Sequence, residues 1–128
     1  MRTFLVFLFV VSTRALEPPQ AVRILQNHLD QFKNAIDNRD ARALFLLFRP
    51  QSGDVLLADA LFKMYEGAVF TVQNAVQDVK NQRIEGDVWV YTMSMPAGTH
   101  YRAVIKGGKP MSPTRYEIQS MRLVRLGK

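Results

Sequence analysis

Acid–base chemistry near neutral pH would have to start from His28 or His100, the two histidines of this 128-residue chain. No cysteine is present, so thiol nucleophiles and thiolate metal ligands are excluded. His28 falls on the edge of an apolar helical stripe, the usual place of a boundary histidine bonded to solvent or backbone. His100 lies in a strand-like run, out of phase with Tyr101, Ala103 and Ile105. On a concave face it would line a pocket together with Arg102. Neither histidine has an adjacent carboxylate in sequence, so the acid–base pairing on offer is His100 with Tyr91 or Tyr65. No HExxH or similar tight spacing points to a metal site, and none is expected. Ser94, Ser112 and Ser120 lack a nucleophile-elbow motif. Gly107-Gly108-Lys109 lacks the remaining Walker spacing and precedes a strand, so it reads as a turn.

A second set of side chains suits binding better than catalysis. Trp89, Tyr91, Met93 and Met95 alternate along one face of a strand-like run, and Phe62 and Tyr65 lie on a helical stripe. With Phe32 they form the expected lining of an apolar pocket: Phe32, Phe62, Tyr65, Trp89, Tyr91 and Met93. Small-molecule sites are mostly apolar with a few orienting polar groups, although the same residues would also serve as plain core between helix and sheet.

The elements that would position these groups follow from periodicity. Pro18-Pro19 mark the start of a helix whose Val22, Leu25, Leu29, Phe32 and Ile36 recur at spacings of three and four. It closes at Asn38-Arg39. Asp40 is a good N-cap for a second helix, 41–48, which Pro50 stops. Asp54 caps a third helix carrying Leu57, Leu61, Phe62 and Tyr65, with Gly67 as its C-terminal cap. The period then drops to two. Val69–Val79 is a strand with Phe70, Val72 and Val76 on one side. Glu85-Gly86-Asp87 reads as a turn, 88–95 as a second and central strand, 99–106 as a third and 115–126 as a fourth. Straight alternation would send Arg122 inward, so a bulge near Ser120-Met121 is expected to place Met121 and Leu123 inside and Arg122 in water.

Composition sets the compartment. Met1-Arg2-Thr3, the apolar run Phe4–Val11 and the small residues around Thr13-Arg14-Ala15 have the three parts of a secretory leader cleaved after Ala15. Residues 1–15 are therefore expected to be a signal peptide, 16–128 a single domain, and the mature protein secreted and extracellular. Eight apolar residues are too few to span a bilayer. The whole chain carries a net charge of +6. From Pro96 onward seven basic residues face one acid, Glu117. Such an excess usually lies on the solvated face of a sheet and keeps it soluble.

Three helices followed by a four-stranded antiparallel meander resemble the nuclear transport factor 2-like superfamily, over roughly Gln20 to Leu126. The best local match is Phe32-x3-Ile36-x3-Asp40-x3-Leu44-x3-Phe48, which looks like that family's first helix, acidic turn and second helix. The resemblance implies an α+β cone, with three N-terminal helices packed on a curved meander sheet around one pocket. The family's isomerase chemistry does not carry over. Its oxyanion-binding tyrosine aligns with Phe32, which has no donor, and the region of its catalytic base reads Arg49-Pro50-Gln51-Ser52-Gly53, with no carboxylate before Asp54.

The expected function is thus a secreted, non-catalytic pocket domain binding a small apolar or amphipathic molecule. Two alternatives stand beside it: a dimerisation or partner-binding module using the sheet face, and an isomerase or dehydratase built on His100. A small ligand and a second copy of the chain are the expected partners. Nucleic acid, a membrane after leader removal, and a cofactor are not expected.

Overall fold

The computed structural model describes residues 19–48 and 55–124. The expected leader, the Arg49–Gly53 stretch and the Asp54 cap lie outside them. Three helices, α1 (Gln20–Asp37), α2 (Ala41–Leu47) and α3 (Val55–Met64), precede four strands, β1 (Val69–Asp78), β2 (Arg83–Tyr91), β3 (Thr99–Lys106) and β4 (Glu117–Leu123). The strands form one open sheet in the order β1-β2-β3-β4, with every neighbour antiparallel. The chain is an α+β protein with a meander sheet.

α1 forms because its apolar residues recur once per turn, and that stripe presses onto the sheet: Leu25 and Leu29 are fully buried, as nearly is Phe32. α2 starts where the Asp40 side chain accepts a hydrogen bond from the Ala43 amide at 3.1 Å, satisfying one orphan donor of the first turn. It ends one residue early. Phe48 leaves the helix in extended backbone and bridges Ile118 of β4 in parallel. After α3, Gly67 takes the left-handed conformation (φ 68°) that stops a helix.

The helices cover one face of the sheet. There Phe70, Val72, Ile84, Val88, Val90, Ala103, Ile105 and Ile118 meet Leu25, Leu29, Phe32, Leu44 and Leu47. Each such aliphatic or aromatic side chain contributes about 1.5–3 kcal/mol by leaving water. Phe32 packs edge-on to Tyr65 and Phe70, with centroids 5.8 and 5.9 Å away, and Phe48 lies 6.3 Å from it. This aromatic knot fills the space between α1, α3 and β1.

Three strand details differ from the sequence reading. Glu85-Gly86-Asp87 is mid-strand, and the β1–β2 turn is Val79–Gln82, where Asp78 accepts from the Asn81 side chain at 2.7 Å. Met93 and Met95 lie in the β2–β3 turn, beyond the strand end at Tyr91. An extra residue in β1, Gln73, shifts the register between Val72 and Asn74 and turns Val76 away from the helices, leaving it 71% exposed. The bulge expected in β4 is present one or two residues earlier, at Gln119. It leaves Met121 packed against the core and Arg122 exposed, but Leu123 is exposed too.

One edge of the sheet is closed by side chains. Gln26 of α1 donates to the Phe70 carbonyl and accepts from the Val72 amide, both at 2.9 Å, as a neighbouring strand would. Lys33 donates to the Ala68 carbonyl at 2.7 Å. These bonds blunt the N-terminal half of the β1 edge.

Candidate functional site on the open face of the sheet

No described helix covers the other face of the sheet, and its ordered polar lattice is the candidate site. Alternation along β2 sends Glu85, Asp87, Trp89 and Tyr91 to this face because Ile84, Gly86, Val88 and Val90 are buried under the helices. The β2–β3 register then sets Trp89 opposite His100, Asp87 opposite Arg102 and Glu85 opposite Val104. Arg122 of β4 stands opposite Arg102.

The contacts run as a chain across β2 and β3. Trp89 and His100 stack, with centroids 5.0 Å apart and planes 12° from parallel. The Trp89 indole N–H donates to Gln73 at 2.9 Å. His100 Nε2 lies 3.1 Å from Asp87 Oδ1; a carboxylate oxygen only accepts, so Nε2 carries the proton. Arg102 donates to the same Asp87 oxygen at 2.9 Å and to Glu85 at 2.8 Å, and Arg83 reaches the other Glu85 oxygen at 3.2 Å.

The electrostatics follow from these bonds. The Arg102 hydrogen bond holds the Glu85 carboxyl below the usual carboxylate range, with added pull from Arg83 and Arg122. At Asp87 burial pushes the other way, but hydrogen bonds from Arg102, His100 and Asn74 outweigh it, and the carboxyl again sits low. Both acids are therefore held ionised. Beneath the long charged side chains Val104 is only 8% exposed, although it faces away from the helices. An open groove of about 270 Å³ lies beside it, lined by Val76, Asp78, Arg83, Glu85 and Arg102. At the far end Gly98 (φ 93°) folds onto Tyr91, where a Cβ would come within 2.6 Å of the ring. Only glycine fits both that backbone and that contact.

The expected pocket lining is divided by the sheet. Phe32, Phe62 and Tyr65 lie in the helix-side core, where burial raises the Tyr65 phenol to about 12. Trp89 and Tyr91 lie on the opposite face, and Met93 is 92% exposed in the turn beyond it. His100 and Tyr65 are likewise on opposite faces and do not pair; His100 and Tyr91 share a face, with Trp89 directly opposite His100. The partner His100 does have is Asp87, thirteen residues earlier. Reading Glu85-Gly86-Asp87 as a turn hid it, and extending the β2 alternation back from Trp89 would have placed both acids on this face.

His28 is not a boundary residue. It is fully buried, with Nε2 donating to the Leu47 carbonyl at 2.9 Å and Nδ1 2.6 Å from the Thr114 hydroxyl. Burial lowers its pKa to about 4, against the opposing pull of the Leu47 carbonyl and Glu117.

Among the described residues no cluster of three or more histidines or acids is placed to hold a metal. No described helix is long and apolar enough to cross a membrane. No protein-family model, curated protein or solved structure matches this chain.

Proposed function

We propose that this chain is a non-catalytic interaction module of the nuclear transport factor 2-like kind that pairs with a second copy of itself through the open face of its sheet. The element order, three helices and then a four-stranded meander, supports the family reading. The carrying observation for the function is the lattice of Trp89, His100, Asp87, Arg102 and Glu85, fixed in place on a face that no described helix covers.

The charge layout favours a second copy as the occupant. On this face the acids Asp78, Glu85 and Asp87 outnumber Arg83 on β1 and β2, while Arg102, Lys106 and Arg122 outnumber Glu117 on β3 and β4. A two-fold axis parallel to the strands lays β1–β2 of one copy over β3–β4 of the other, so acids meet cations. Val69 and Val76, 50% and 71% exposed, add apolar area on the β1 side. Sedimentation equilibrium tests this reading. The expected result is twice the monomer mass, with Arg122→Glu shifting the equilibrium toward monomer. A monomer at every concentration contradicts it.

A further inference from the structure

We propose that His28 is an acid-released latch: adding a proton to its ring frees residues 109–116 of the β3–β4 connection from the helix layer. The ring sits where three parts of the chain meet. It belongs to α1, its Nε2 holds the last carbonyl of α2 at Leu47, and its Nδ1 holds Thr114 of the connection.

The neutral ring suits this junction and the charged ring does not. Because Nε2–H donates to Leu47, Nδ1 carries the lone pair and accepts from the Thr114 hydroxyl. A proton on Nδ1 makes it a donor. Thr114 Oγ1 already accepts from the Tyr116 amide at 3.2 Å and lies 3.3 Å from the Ser112 hydroxyl, and its own proton must then turn from the ring to the Tyr116 carbonyl, a longer contact at 3.3 Å. The charge would also sit at a position with no solvent exposure. The ionised group acting on the ring is Glu117 of β4, whose carboxylate faces Lys109 of the connection at 3.3 Å. Its attraction offsets the burial cost only in part.

Withdrawal of the connection is the local way to hydrate the ring. Within 109–116 the backbone bonds are internal, joining Lys109, Ser112 and Arg115, so the segment can move as a unit. It also forms one wall of an open groove of about 350 Å³, with Thr114 and Tyr116 facing Gln20, Arg23, Ile24 and Asn27 of α1. Release of the latch widens that groove.

Amide hydrogen exchange of the full chain, corrected for intrinsic rates, tests the latch. With the ring titrating near 4 when buried and at 6.5 when hydrated, openings that expose it become roughly twentyfold more frequent between pH 7 and pH 5. The expected result is that acceleration in 109–116 through an opening that leaves β2 and β3 closed, so that its amides stay far less protected than the slowest amides of those strands at both pH values, and its loss in His28→Gln. Three results overturn the proposal: unchanged protection of 109–116, amides of 109–116 as protected as the slowest of β2 and β3, or the same acceleration in His28→Gln. Should that variant not fold, ring ¹⁵N titration of the native chain replaces it. The Thr114 amide must then shift on the His28 curve, and a Thr114 signal that does not follow it overturns the latch.

Discussion

Trp89 and His100 lie ring on ring across two strands, 5.0 Å apart, while Asp87 holds the far side of the imidazole. The indole is itself fixed by Gln73. Two side chains with free rotamers would not order this way on a wet surface unless each restricts the other. Replacing His100 by alanine uncovers one indole face and leaves Asp87 with Arg102 and Asn74. The site is partly exposed, so the expected cost in unfolding free energy is only about 1 kcal/mol. The clearer readout is a red-shifted Trp89 emission, and an unshifted spectrum contradicts the stack.

At Gly86 the helix layer lies close against the sheet. A Cβ there would lie 2.4 Å from the Asn74 carbonyl oxygen and 2.8 Å from the Leu25 side chain. Leucine can move; the backbone oxygen cannot without disturbing the β1 bulge. Gly86→Ala is therefore expected to destabilise the fold by about 2–3 kcal/mol in urea unfolding. A variant of native stability contradicts this packing.

Gln26 stands in for a strand on the β1 edge. Gln26→Ala removes both bonds and bares the Phe70 carbonyl and Val72 amide. A loss of about 1–2 kcal/mol is expected, together with faster aggregation on mild heating, measured by light scattering. Gln26→Glu keeps an acceptor for Val72 but sets a carboxylate against the Phe70 carbonyl and Asp30, and should lose at least as much as alanine.

The helices were legible in the sequence because a 3.6-residue apolar period and a capping aspartate are local signals, as Leu25, Leu29 and Asp40 illustrate. The open-face site was not. An acid–glycine–acid run such as Glu85-Gly86-Asp87 reads locally as a turn, and only the Asn74 carbonyl on the neighbouring strand and Leu25, some sixty residues away, explain why glycine sits mid-strand. That misplaced turn also concealed the His100–Asp87 and Arg102–Glu85 pairs, which depend on cross-strand register. The Gln73 bulge leaves no local mark either, so plain alternation along β1 puts Val76 on the wrong face. His28 lay on the apolar stripe's edge by spacing alone, and its burial is set by Leu47 and Thr114, which no periodicity reports.

Stability should fall with acid well before the carboxylates titrate. In the unfolded chain His28 binds a proton near pH 6.5, and in the fold only near 4. The unfolded state therefore holds more protons in that window, and stability is lost as pH drops through it, by about 3 kcal/mol in total. Denaturant midpoints of the native chain and His28→Gln should show it: the first declines from pH 7 downward, the second stays flat to about pH 5. Below about pH 5 both should decline as the unfolded chain takes up protons at Asp78, Glu85 and Asp87, whose pKa values are lowered by folding. Parallel curves for the two proteins contradict this assignment.

Trp89 is the single tryptophan of the chain and lies within the proposed contact face. Acrylamide quenching of its fluorescence, followed from dilute to concentrated protein, reads directly whether that face is covered. The account predicts a quenching constant that falls by about twofold or more as dimers form, and stays high in Arg122→Glu. Quenching independent of concentration, in a protein that sediments as a dimer, would show that the copies meet somewhere else.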